Sequence, residues 1–209
     1  MQANKSSVSI GGQFGSMRPV LETPRLLLRQ LRIDDLDAMH SYLGDPKTML
    51  HYPIPFSRDF VQQGIEKNLE RFKMLGYGLF GVLLKETGEL IGDCGLVWQD
   101  LDTGSELEVG YHFRRDHWNR GYATEAARAC IDFAFEHTDA EQVISLIRPE
   151  NIASRRVAEK NGLRVSRQIL WKGLVHDIWK IDSSNNRLNE GTKSDRKKNC
   201  TTLRGSEHP

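Results

Sequence analysis

Cysteine is scarce: three residues in 209, Cys94, Cys130 and Cys200, widely separated and in no metal-type spacing. That excludes a disulfide-built fold and a thiolate metal site, and it fits free thiols in a reducing compartment. An excess of one charge sign is also lacking, with 29 Lys and Arg against 28 Asp and Glu. No global basic field advertises nucleic acid or an anionic membrane, so any anion must be held locally. Apolar runs stay short of the roughly 18 residues a membrane span needs, and the first residues lack the charged-then-apolar layout of a secretory signal. The expectation is a cytoplasmic protein with no membrane partner.

The ends lack apolar content. Residues 1–18 mix Ser, Gly and Gln, with Met17 as a candidate internal start. Residues 183–209 hold no aromatic residue, only Leu188 and Leu203 as large aliphatics, and a basic cluster of Arg196, Lys197 and Lys198. Neither end can bury enough surface to offset the entropy of ordering, so both are expected to be disordered tails flanking one domain, 19–182. The basic cluster reads first as a solvated tail, second as a ribosome or RNA contact.

What is present lies between them. "RLLLRQL" after Thr23-Pro24 reads as a strand. Leu36, Met39 and Leu43 mark a helix that Gly44 and Pro46 end, and Ser57 opens a second through Phe60, Val61, Ile65, Leu69 and Phe72. "LFGVLLK" and "LIGDCGLVW" flank the turn "ETGE" as a hairpin, and "ELEVGYHF" follows as a strand. Then come a helix over 124–137, the strand "VISLI", a short helix over 154–161, and the hairpin "RVSRQILW" and "VHDIWKI" around Gly173. The order predicts a mixed α/β sheet of about seven strands with four helices.

The stretch "HWNRGYATEAARA", His117 to Ala129, carries the chemistry. A strand entering a tight glycine turn and then a helix gathers unpaired N–H groups and the positive end of the helix dipole at one point, which is an anion site. Gly121 lets a ligand approach the backbone, Asn119, Arg120, Ala123 and Thr124 can turn amides towards phosphate oxygens, and Arg120 adds charge. The stretch is neither a Walker loop nor the three-glycine dinucleotide fingerprint, so mononucleotide kinase chemistry is excluded. Taken alone, Gly121 could equally serve an ordinary strand-to-helix turn.

A second such turn, "NIASRRVAEKNGLRV", places Asn151 and Ser154 at the mouth of another helix. Together the two turns resemble the cofactor motifs of the GNAT N-acetyltransferase superfamily, and "WNRGYATEA" is close to the version in its RimJ/RimL-like branch. The resemblance runs from about Leu21 to Asp182 and includes the element order. It implies acetyl-CoA as acetyl donor, lying between two splayed parallel strands, Glu106 to Phe113 and Val143 to Ile147. Backbone groups of Tyr111 and Phe113 would pair with the pantetheine arm, a form of strand addition. Asn119 to Thr124 would hold the pyrophosphate, and Asn151 would bond the pantetheine end. Ser154 would cap its helix or touch the cofactor, and Arg155 or Arg156 would reach the 3'-phosphate or remain solvated. No metal is implied.

The sequence departs from the family pattern at two places. Trp118 stands where Gln or Arg often begins the phosphate turn, as is common in the RimJ/RimL-like branch. Ala158 stands where many members carry a tyrosine that protonates the leaving thiolate, so no acid is assigned there.

Transfer to an amine needs a base. Alternation puts Glu106, Glu108 and His112 on one strand face, and Glu108 is the choice, since glutamate in this strand is a recurrent base in the superfamily. These residues could also be charges on a solvated edge. His176 and Asp177 are candidates to line an acceptor pocket. The expected activity is acetyl transfer to a primary amine of a protein N-terminus, a lysine or a small molecule, by a monomer or homodimer. The alternative is a non-catalytic CoA-binding or ribosome-associated module on the same fold.

Overall fold

A computed structural model describes residues 21–184; the N-terminal arm, Met17, the basic cluster and Cys200 lie outside the described residues. The elements run β1 (Leu21–Glu22), β2 (Leu26–Gln30), α1 (Leu36–Leu43), α2 (Arg58–Leu75), β3 (Leu79–Leu84), β4 (Leu90–Leu101) and β5 (Gly104–Phe113). They continue as α3 (Tyr122–His137), β6 (Gln142–Ile147), α4 (Ile152–Lys160), β7 (Arg164–Trp171) and β8 (Leu174–Asp182). One sheet in the order β1-β2-β3-β4-β5-β6-β8-β7 holds all eight strands, one more than the sequence predicts. The extra strand is the two-residue β1, too short to leave an alternation pattern. All neighbours are antiparallel except β5 and β6.

Local signals explain the helices that frame this sheet. The Ser57 hydroxyl accepts the Phe60 N–H at 3.2 Å to open α2, and Gly76 closes it in the left-handed region at φ 82°. In α3 the inward stripe is Ala126, Ala127, Cys130, Ile131 and Ala134, small enough to bring the helix close to Leu107 and Val109 of β5. On the other side of the sheet, Leu36, Met39 and Tyr42 of α1 pack with Val61 and Ile65 of α2. Strand alternation therefore turns Leu107 and Val109 to α3, and Glu108, Gly110 and His112 to the opposite face.

A buried polar clasp joins α2 to β3. The Asn68 side chain, 1% exposed, accepts the Leu79 N–H and donates to the Leu79 carbonyl, both at 2.8 Å. Asn68→Ala strands both backbone groups, at on the order of 1–3 kcal/mol each, and urea unfolding should show the midpoint fall without a change in slope.

Candidate active site

The parallel pairing of β5 and β6 is confined to one register position, Glu108 opposite Ile144, although both strands run on beyond it. The Arg114 N–H bonds the Ile91 carbonyl at 2.9 Å, which fixes the phase of the β4–β5 ladder. By that phase Tyr111 and Phe113 turn their backbone groups to the other edge, into the opening. The Phe113 carbonyl there accepts the Trp118 indole N–H at 2.7 Å, leaving the Phe113 N–H as its contribution.

Glu108 sits where the ladder stops. One carboxylate oxygen accepts the Leu146 N–H of β6 at 3.1 Å, and the other accepts the Gln99 amide of β4 at 2.6 Å. The side chain thus ties three strands together at the mouth of the opening. Burial raises its pKa above the usual carboxylate range, although these two donors, His112 and Lys172 pull the other way. Next to it, a Cβ added to Gly110 would meet nothing within 4 Å, so this face is open between Glu108 and His112.

Glu106, on the same face by alternation, is committed elsewhere: it pairs with Arg167 of β7 and accepts the Thr103 hydroxyl at 3.2 Å. It fastens the sheet, and that long-range partner left no signal in the strand's own alternation.

The turn before α3 is built for close backbone approach. Gly121 adopts φ 81° and Asn119 φ 59°, both left-handed. The helix begins at Tyr122, two residues ahead of the expected Thr124, because the left-handed Gly121 already serves as its N-cap and its carbonyl accepts the Glu125 N–H at 3.0 Å. Ala123 and Thr124 consequently lie in the first turn, where N–H groups have no intrahelical acceptor. Arg25 pins the turn: it donates to the Arg120 carbonyl at 2.9 Å, pairs with Glu125 at 2.6 Å and lies 4.6 Å over the Tyr122 ring. The Arg120 side chain is exposed beside it.

A cavity of about 330 Å³ opens against this turn, lined by Gly121, Thr124, Glu125, Arg128, Lys160 and Asn161. The Asn161 amide donates to the Thr124 carbonyl at 3.3 Å, and its own oxygen, buried, has no hydrogen-bond partner among the described residues. Sequence reasoning missed Arg128, Lys160 and Asn161. Arg128 one helical turn after Thr124 was a readable signal; the approach of Lys160 and Asn161 to α3 was not, because it depends on how α4 packs.

At the second turn Asn151, not Ser154, is the helix cap: its side-chain oxygen accepts the Ser154 N–H at 3.1 Å, and α4 starts at Ile152. Asparagine is as strong a cap as serine and stands three residues earlier, which shifts the helix start. The Ser154 carbonyl instead accepts the Tyr111 hydroxyl at 3.1 Å, linking β5 to α4. Burial raises the Tyr111 pKa. Arg155 donates to the Pro149 carbonyl at 3.1 Å and stacks over Trp179, while Arg156 is exposed. Ala158 is 2% exposed and offers only a methyl group. His176 bonds the Leu174 carbonyl at 2.9 Å and Asp177 accepts the Gln168 amide at 3.0 Å, so both hold the β7–β8 hairpin. Among the described residues no His, Cys, Asp and Glu cluster could hold a metal ion, and no helix is long and apolar enough to cross a membrane.

Comparison with known proteins identifies the family. The family described as "Acetyltransferase (GNAT) domain" matches residues 25–164. YkkB of Bacillus subtilis (strain 168), an uncharacterized protein, is 37% identical over 150 residues, 71% of this chain and 87% of its own. The uncharacterized N-acetyltransferase p20 of Bacillus licheniformis is 32% identical over 166 residues, 77% of this chain and 87% of its own. In structure, RimL, a ribosomal L7/L12 alpha-N-protein acetyltransferase solved in complex with coenzyme A, shares the fold with a TM-score of 0.63 at 17% identity, over 80% of this chain and 98% of that one. The chain belongs to the GNAT acetyltransferase family, in its RimJ/RimL-type branch, and is an N-acetyltransferase.

Proposed function

We propose that this enzyme moves the acetyl group of acetyl-CoA to a primary amine, on a protein N-terminus, a lysine or a small molecule, with Glu108 as general base. The observation that carries this reading is the Glu108 carboxylate at the mouth of an opening whose edges are unpaired beyond Ile144. The N–H groups of Tyr111 and Phe113 supply the free strand edge for the pantetheine arm. Asn119, Arg120, Gly121, Ala123 and Thr124 bind the pyrophosphate through backbone N–H groups and the α3 dipole, and Arg128 and Lys160 add positive charge beside them. Asn151 keeps its amide N–H₂ for the pantetheine end while its oxygen caps α4, and Ser154 contributes its hydroxyl beside it.

Glu108 accepts the proton of the attacking amine, directly or through one water. Its raised pKa makes it a better base than an ordinary carboxylate, and its two donors hold it in place without filling every lone pair. An α-amine, with a pKa of about 7.7–8.0, arrives partly neutral at physiological pH, whereas a lysine near 10.4 arrives almost wholly protonated. The base matters more for lysine.

The test offers acetyl-CoA with a panel of peptides bearing a free α-amine, peptides blocked at the N-terminus but carrying lysine, polyamines and amino acids. Thiol release and the mass of the product are measured. Acetylation of one class supports the reading and names the acceptor; CoA binding without transfer to any of these amines would contradict it.

A further inference from the structure

Ala158 stands where the family resemblance would place a tyrosine acid, yet a hydrogen-bond chain rooted at buried Asp93 reaches the face that Glu108 lines from a different part of the fold. The Tyr52 hydroxyl lies 2.7 Å from His112 Nε2, and His112 Nδ1 lies 3.0 Å from Asp93 Oδ2. Asp93 is 1% exposed on β4, and its other oxygen accepts the Tyr42 hydroxyl of α1 at 2.9 Å. Asp93 thereby fixes the imidazole, as a carboxylate behind a working histidine does. The outer member is also held. The Tyr52 N–H bonds the Met49 carbonyl at 2.9 Å, and its ring meets Phe56 edge-on at 5.4 Å and His112 at 5.5 Å. Yet Tyr52 remains 42% exposed, so this ordered chain ends on a residue that reaches the surface. His112 shares its strand face with Glu108, and the open space at Gly110 lies between them.

We infer that Tyr52, backed by His112 and Asp93, is the acid that protonates the leaving thiolate, a role that rests on the acetyl transfer proposed above. With both ring nitrogens protonated, Nδ1–H donates to Asp93 and Nε2–H donates to the Tyr52 oxygen, which leaves the Tyr52 O–H directed outward. As the C–N bond forms and the C–S bond breaks, the electron pair leaves on sulfur. Tyr52 gives sulfur its proton and takes one from Nε2, while Glu108 receives the proton of the amine. Exchange with water then moves one proton from Glu108 back to His112, so atoms and charge balance. Burial alone would lower the His112 pKa, but Tyr52 and Asp93 outweigh it and raise it, and the carboxylate hydrogen-bonded to Nδ1 favours the imidazolium. The titratable and charged groups facing it are Asp93 from β4, Tyr52 from the α1–α2 connection, Glu108 along β5 and, behind Asp93, Tyr42 from α1. Tyr111 is the poorer candidate, since its hydroxyl is committed to the Ser154 carbonyl.

An acid poised for a thiolate also stabilises that thiolate at equilibrium, which allows a test without any acceptor. The probe is CoA bound to the intact protein, its thiolate absorbance titrated from about pH 6 to 10 around the ordinary thiol range. A nearby cation lowers an acid's pKa by about 1–3 units, so the bound thiol should ionise well below the free one. Tyr52→Phe and His112→Gln should each cut the thiolate fraction at neutral pH by about tenfold, and their combined effect should be less than the product of the two. Tyr52→Phe should melt near the wild-type temperature, His112→Gln should melt lower because it takes the imidazole from buried Asp93, and both should still bind CoA. An unshifted thiol in the wild type, or titration curves unchanged in the variants, would overturn the assignment of the acid while leaving acetyl transfer standing. Failure of the wild type to bind CoA would overturn the cofactor reading itself.

Discussion

Glu108→Gln should lower kcat about a hundredfold to ten-thousandfold, the usual range for a lost general base, with little change in the acetyl-CoA dissociation constant. The substitution is clean because of how the carboxylate is held. A glutamine oxygen still accepts the Leu146 N–H, and the partner amide of Gln99 can flip to present its oxygen to the new N–H₂ group. Shape and strand ties persist while basicity is lost. The deficit should shrink as pH rises through the amine pKa, because more acceptor then arrives neutral. In the wild type the base must be ionised, so its raised pKa places the acid limb of the kcat profile above that of an ordinary carboxylate, and Glu108→Gln should lack that limb. Glu106→Gln, which loosens the tie to Arg167, should lower stability more than turnover. Initial rates of both variants from about pH 6.5 to 9.5, bracketing the α-amine, make the check. Near wild-type turnover of Glu108→Gln at the low end would remove this residue from the proton path.

Gly121→Glu should abolish the thermal stabilisation conferred by acetyl-CoA. A ligand at about a hundred times its dissociation constant adds about 2.7 kcal/mol to the folded state. For a domain of this size that corresponds to a Tm rise of about 5–10 °C. A glutamate at this turn would put a carboxylate among the phosphates, and its Cβ would already stand 3.4 Å from the Arg25 guanidinium that pins the turn. Left-handed backbone costs a side chain about 1–2 kcal/mol, so the unliganded variant should also melt a few degrees lower. Gly121→Asn separates the two effects, since asparagine tolerates this conformation and carries no charge. It should keep part of the ligand shift, and a full shift in Gly121→Glu would place the phosphate site elsewhere.

The sequence made the long periodic elements and both strand-to-helix turns legible, because each rests on local signals: an apolar stripe, a cap, a residue that accepts positive φ. It also grouped Glu108 with His112, since strand alternation is a local rule. It could not separate Glu106 from them, because what distinguishes Glu106 is Arg167, sixty-one positions away. The cap of α4 stayed open for a subtler reason: Ser154 suits an N-cap as well as a cofactor contact, Asn151 suits a cap too, and only the bond between Asn151 Oδ1 and the Ser154 N–H decides. Tyr52 left no signal at all. It lies in an irregular connection between α1 and α2, and its meeting with His112 depends on how that connection folds over β5.

A crystal structure of the protein with bound CoA tests the central claim most directly. The account predicts the pyrophosphate on the N–H groups of Gly121, Ala123 and Thr124, the pantetheine along the free edge at Tyr111 and Phe113, and the sulfur over Gly110 between Glu108 and Tyr52. A pyrophosphate bound away from the Gly121 turn, or a sulfur on the α3 side of the sheet and out of reach of Glu108, would contradict it.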